Sequence, residues 1–149
     1  MRHGAKMIHY GLFVGNDSDV PGFSGSVLHC ARDPWFPKNL PDSKLVFRAS
    51  EYEMMLKMVD AAEPKYFSDE MVNPGLEFIT ERFAAGDPVL VHCNQGLSRS
   101  PSVAFLWLHE HGFLDREFHY AVPQFKEIYK DYNPNPGIFQ YLKNRIEKC

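Results

Sequence analysis

The stretch VLVHCNQGLSRSP, Val89 to Pro101, carries an apolar strand straight into a helix start through one tight turn. A short apolar run reads as a strand, and a serine followed by proline reads as the first turn of a helix. Other short apolar segments precede it: Tyr10–Val14, Ser26–Cys30, Leu45–Phe47 and Met54–Val59, bounded by turn formers such as Gly15-Asn16-Asp17 and Leu40-Pro41-Asp42. Helical patterns separate and follow them. One opens at Asn73-Pro74, with Leu76, Ile79 and Phe83 on one face before Gly86. A second opens at Ser100-Pro101 and ends at Gly112. A third runs from about Asp115 through Tyr129, with a kink or break at Pro123, and a fourth follows Asn135-Pro136. Strands interleaved with and followed by helices predict an α/β fold with a central, mostly parallel sheet of about five strands flanked by helices.

The 149 residues suit a single domain, 1–149, able to bury a core without staples. The net charge of -3 argues against nucleic acid and against an acidic membrane as partners, and no apolar run has the length of a membrane span. Cys30, Cys93 and Cys149 have no paired spacing, which favours a reducing, cytoplasmic setting over a disulfide framework. Met1-Arg2-His3 begins no signal segment. No CxxC or HxxxH set accompanies His92 and Cys93, so neither metal nor cofactor is expected. The sequence carries no signal for oligomeric state.

The turn is an anion site in outline. Amides at a helix N-terminus are unpaired and the helix dipole adds partial positive charge, so Asn94, Gln95, Gly96, Leu97, Ser98 and Arg99 form a cradle for phosphate. Gly96 allows close approach, and the Arg99 fork can hold two phosphate oxygens. The same field favours the thiolate of Cys93, the nucleophilic form. A thiolate beneath a held phosphate is placed for in-line attack.

HCNQGLSRS, residues 92–100, resembles the HCxxGxxR[ST] signature of the cysteine-based protein tyrosine phosphatases, and its GxSRS ending resembles the dual-specificity branch. IHYGLFVGND, SVLHCA, Tyr66-Phe67 and Asn133-Pro134-Asn135-Pro136-Gly137 are similar to other parts of that family, whereas the segment from Ala61 to Pro74 departs in length. The resemblance implies a phosphotyrosine-phosphatase-like fold. It implies that Cys93 is the nucleophile, that Arg99 binds phosphoryl oxygens, that Ser100 helps the thiolate leave and that His92 supports the thiolate.

Phosphate ester cleavage also needs an acid for the leaving oxygen. Ligands of α/β sheets bind beyond the carboxyl ends of strands, which favours Asp60, directly after Leu56-Lys57-Met58-Val59 and 33 residues before Cys93, a spacing that resembles the family's. Asp69 competes but reads as a first-turn helix residue. Asp87 starts the strand that Cys93 ends and is expected to be inert. Ser100 has a second reading as a helix N-cap. Trp35, Phe36 and Arg32 read either as a pocket mouth or as loop packing, Lys130 either as a solvated side chain or, as the resemblance implies, as a basic group near the substrate, and His109 and His111 as solvated or satisfied in packing. The expectation is a phosphomonoester hydrolase acting on phosphotyrosine and on phosphoserine or phosphothreonine in proteins. The alternatives are a phosphate-binding module with little turnover, or the same chemistry on a phosphoinositide or RNA 5′-phosphate.

Overall fold

The structure, a computed structural model, describes residues 4–148; Met1-Arg2-His3 and Cys149 lie outside the described residues. Six strands form one sheet: β1 (Lys6–His9), β2 (Leu12–Gly15), β3 (Ser26–His29), β4 (Val46–Ser50), β5 (Glu53–Leu56) and β6 (Val89–His92), in the spatial order β1-β2-β6-β3-β5-β4. The inner four are parallel, and β1 and β4 close the edges antiparallel. The sheet thus has the mostly parallel character that the sequence pattern predicts, with one strand more. The added strand is β1, and Tyr10, read as the start of a strand, lies with Gly11 in the turn between β1 and β2. The strand expected to reach Val59 ends at Leu56; Lys57 still donates to the Leu45 carbonyl at 2.9 Å and Met58 still accepts the Arg32 amide at 2.7 Å before the chain leaves the sheet.

Alternate residues of the parallel strands, Leu12 and Val14, Leu28 and Cys30, Met54 and Leu56, Val89 and Val91, enter one core. Full burial of each such aliphatic side chain contributes about 1.5–3 kcal/mol. Against this face lie α1 (Asp69–Ala84) and α2 (Arg99–Glu110), which also pack on each other; α4 (Pro136–Glu147) packs on α2, and α3 (Phe118–Ile128) on α4. Among the described residues, no helix is long and apolar enough to cross a membrane.

Two prolines behave differently from expectation. α1 does not start at Asn73-Pro74: Ser68 is its N-cap, accepting the Met71 amide at 3.3 Å, and Pro74 lies inside it. α3 starts at Phe118 and runs unbroken through Pro123. In each helix the proline is the sixth residue. The carbonyls it leaves without a helical partner, those of Glu70 and His119, belong to exposed first-turn residues where water can serve. Asn73, relieved of capping, has a buried side-chain oxygen without a partner.

Ser68→Ala should therefore cost about 1 kcal/mol in denaturant unfolding, whereas Asn73→Ala should be neutral or stabilising because it removes an unpaired buried acceptor. The opposite ranking would restore Asn73 as the cap.

Candidate active site

β6 lies between β2 and β3, and its register carries past its end: the Cys93 amide donates to the Gly15 carbonyl at 3.4 Å, and Cys30 donates to the His92 carbonyl at 2.8 Å. The chain then turns through residues 93–98 into α2. Gly96 has φ +74°, and a Cβ there would stand 2.9 Å from the Gly15 carbonyl oxygen, so both conformation and space require glycine. The Tyr129 hydroxyl donates to the Gly96 carbonyl at 2.6 Å, the Asn133 amide to Leu97 at 2.8 Å, and the Asn135 amide to the Ser98 hydroxyl at 2.8 Å. These bonds pull the turn's oxygens outward. Among the described residues the amides of 94–98 donate to nothing.

Cys93 is buried at the base of this ring of amides. Its sulfur accepts the Ser100 hydroxyl at 3.2 Å, and the same hydroxyl lies 3.4 Å from the Gly15 carbonyl. Ser98 is the N-cap residue of α2 and Ser100 is its second residue, so the capping reading of Ser100 is corrected: its hydroxyl serves the thiol instead. Arg99, also buried, donates through Nη1 to the Met58 carbonyl at 2.9 Å and through Nη2 to Asn94 Oδ1 at 2.6 Å. Three of the five guanidinium N–H groups are left for a ligand.

Asn94 ties the site together. Its amide nitrogen donates to Asp17 Oδ2 at 3.0 Å and to the Asp33 carbonyl at 2.9 Å. Trp35 donates its indole N–H to Asp17 Oδ1 at 3.0 Å, and Phe36 is buried, so these aromatics brace the site rather than line its mouth. Arg32 pairs at the surface with Asp33, and Lys130 is solvated beside Glu127. Asp17 is a residue that sequence patterns miss, because Gly15-Asn16-Asp17 reads only as a turn.

A cavity of about 500 Å³ opens above Cys93 and Arg99, with Asp60 and Asn135 on its wall. Asp60 is exposed and accepts Asn135 Nδ2 at 3.1 Å, while Asn135 Oδ1 is buried without a partner. Asn135, read as turn chemistry, is thus a site residue. Its helix sits directly on the loop that carries Asp60: a Cβ on Gly137 would come within 2.8 Å of the Glu63 carbonyl oxygen. Asp69 lies elsewhere. A hydrogen bond from the Tyr141 hydroxyl at 2.6 Å, together with the Arg145 guanidinium, holds its carboxyl below the usual range, so it stays ionised. Asp87 is engaged by Arg82 at 2.6 Å and by Ser26 at 3.1 Å at the other end of β6. His109 and His111 are satisfied by the carbonyls of Arg116 and Trp107.

His92 points to the sheet face opposite Cys93. Its Nδ1 is 3.4 Å from the Cys93 carbonyl, and burial, followed by the neighbouring His29, pushes its pKa down to about 4. Cys30 is fully buried, and burial pushes its thiol well above the ordinary value.

No protein-family model and no curated protein matches the chain. Solved structures do. The human tyrosine phosphatase-like serine/threonine/tyrosine-interacting protein superposes with a TM-score of 0.71 at 24% identity, over 99% of this chain and 98% of that one. Human DUSP28 superposes at 0.73 with 19% identity over 99% and 96%, and Tk-PTP in its active form at 0.72 with 22% identity over 100% of both. The fold is that of the dual-specificity phosphatases. At these identities it is the fold that is shared.

Asn94→Ala removes the brace on Arg99, whose charged hydrogen bonds are worth about 1.5–3 kcal/mol each. Calorimetric titration with orthovanadate should show affinity reduced about tenfold or more; unchanged affinity would mean that Arg99 is held without Asn94.

Proposed function

We propose that the protein is a phosphomonoester hydrolase that acts through a cysteinyl-phosphate on phosphotyrosine and on phosphoserine or phosphothreonine in proteins. The observation that carries this reading is one cavity lined by Asp60, by the turn with its unpaired amides, by the buried Arg99 and by Cys93, whose sulfur accepts the Ser100 hydroxyl.

The substrate phosphate binds among the amides of 94–98 with its oxygens toward Arg99. The Cys93 thiolate attacks phosphorus, the ester P–O bond breaks, and Asp60 gives its proton to the departing oxygen. Water then attacks the phosphocysteine, Asp60 takes its proton, the S–P bond breaks, and Ser100 donates a hydrogen bond to the sulfur as its charge returns. Donors fixed before the reaction carry the charge on the equatorial oxygens without rearrangement. Asn135 holds Asp60 over the cavity in both steps. His92 backs the turn from the other face of the sheet, its Nδ1 3.4 Å from the Cys93 carbonyl.

The turn itself contributes no lysine or histidine, and Arg99 is its only cation, which suits one phosphate better than a polyphosphorylated headgroup. Buried, unpaired Cys30 and Cys93 suit a reducing compartment such as the cytoplasm. A second reading is a phosphate-binding module with little turnover. It is favoured by the fold shared with a protein whose name makes it phosphatase-like and interacting.

Steady-state kinetics on phosphopeptides, inositol phosphates and 5′-phosphorylated RNA test the reading. Cys93→Ser should abolish turnover while still binding vanadate, and turnover equal to wild type would refute the mechanism. Asp60→Ala should slow esters with poor leaving groups by about 100-fold or more and activated aryl phosphates far less. Asp69→Ala should change little; a reversed order would move the acid to Asp69. No hydrolysis of any substrate by the wild type would favour the binding module.

A further inference from the structure

Behind the active-site turn, on the sheet face away from the helices, β3 and β6 carry histidines at paired register positions, His29 and His92. Their rings meet edge to face at 86°, with His29 Nδ1 2.6 Å from His92 Nε2. The other nitrogen of His29, Nε2, is 2.6 Å from Glu53 Oε2 on β5. The other nitrogen of His92, Nδ1, is 3.4 Å from both the Cys93 carbonyl and Asp17 Oδ1. Both histidine side chains are fully buried, whereas that of Glu53 is 40% exposed. Trp35 stacks on His29 at 4.4 Å and meets His92 at 5.0 Å, covering the row. A line of titratable groups therefore leads from solvent at Glu53 to the backbone of the nucleophile, and the chemistry proposed above uses neither Glu53 nor His29.

Counting protons shows that this row cannot be satisfied by neutral rings. Two neutral imidazoles hold two N–H groups on four nitrogens. The contact between the rings needs one, the Glu53 carboxylate needs one at His29 Nε2, and the two oxygens beside His92 Nδ1 need a third. With only two, the row runs toward Glu53: His29 donates to Glu53, His92 Nε2 donates to His29, and His92 Nδ1 faces oxygen lone pairs bare. One proton from solvent reverses the central bond. His29 then holds protons on both nitrogens and donates from Nδ1 to His92 Nε2, and the proton of His92 moves to Nδ1. The charge of the three side chains goes from -1 to zero, the bond to Glu53 is kept, and His92 Nδ1 gains a proton to donate to the oxygens beside it.

We propose that Glu53, His29 and His92 form a proton relay that positions the Cys93 turn: loaded, it holds the Cys93 carbonyl and Asp17 with a His92 Nδ1–H, and unloaded it withdraws that donor. Glu53 and His29 are positioning residues, since neither touches the cavity. Asp17 passes the effect on, because the same carboxylate takes Asn94, which holds Arg99.

The charged groups facing the row set its pH range. Glu53 and Asp17 face His29; Asp17, Asp19 and His29 face His92. The carboxylates favour loading, but burial outweighs them and lowers His29 from its ordinary 6.5. His92 is lowered to about 4, by burial first and by the neighbouring His29 next. Loading therefore falls on the acid side of neutrality. The sign for stability is the reverse of that for alignment: folding favours the unprotonated rings, so their stability contribution is complete above pH 6.5 and declines as the pH falls through the lowered values.

The test is nitrogen-15 NMR of histidine-labelled wild-type protein between about pH 8 and pH 5, where bare and protonated ring nitrogens are distinct. Resonances are assigned by the loss of signals in His29→Asn. At one shared midpoint His29 should gain its second proton and the proton of His92 should pass from Nε2 to Nδ1. Glu53→Gln should lower that midpoint by about one pH unit, since a facing charge is removed. His29→Asn should leave His92 with Nδ1 protonated across the whole range. His92 holding one tautomer throughout in wild type, or the two rings titrating at separate midpoints, would overturn the relay.

For its kinetic consequence the relay rests on the phosphatase reading. In His29→Asn the change of kcat at the NMR midpoint should vanish from the pH profile while KM is kept, and an unaltered profile counts against the relay. A tautomer exchange without any turnover would sink the phosphatase reading and leave the relay standing. Turnover without the exchange would do the reverse.

Discussion

β6 is paired on both edges, by β2 and β3, and the residues that leave it at Cys93 have no ladder left to join. Backbone amides call for partners, and those of the turn 94–98, on the wall of the cavity, have none in the protein among the described residues. The molecule directs hydrogen bonds to this turn from Tyr129, Asn133 and Asn135, and they reach its carbonyls and the Ser98 hydroxyl, leaving the amides turned inward. A structure that satisfied those amides internally would be more stable and would have no site. An anion is the partner that completes them, and the segment joining α3 to α4 is built to keep the place open.

The guanidinium obeys the same logic. Arg99 is buried, yet among the described residues its partners are a carbonyl and an amide oxygen, both uncharged, and it forms no ion pair. Asp17 is linked to it only indirectly, through Asn94. A buried charge left uncompensated is costly, and a dianionic ligand cancels it. Contrast Arg82, buried at the opposite end of the sheet, which bonds Asp87 directly and stacks on Tyr52. One arginine is spent on the fold, and the other is held in reserve.

Legibility from sequence follows the range of the interactions. VLVHCNQGLSRSP was readable because strand, turn and helix lie within one local stretch, and the parallel sheet followed from strands alternating with helices. Asp60 was reachable because position beyond a strand end is a topological rule. Asn135 and Asp17 were not, since their roles rest on contacts with residues 75 and 77 positions away. The start of α1 was misread because Asn73-Pro74 satisfies the local rule for a helix N-terminus, while Ser68-Asp69 satisfies it as well and lies one turn earlier. Hydrogen bonding to Met71, visible only in three dimensions, decides between them.

The same principle separates the two carboxylates that competed for the acid role. Asp60 and Asp69 are chemically identical and nine residues apart. Asp69 sits in the first turn of α1, where the helix dipole, Tyr141 and Arg145 all favour the anion, so a proton is hard to keep there. Asp60 stands on the cavity wall with, among the described residues, a single neutral amide donor and no cation bonded to it. A group that must give up a proton in one step and take one back in the next needs such a place, within reach of the leaving oxygen and unclaimed by a permanent charge. Residue type is common to both positions; what divides them is which helix, and which arginine, each one meets.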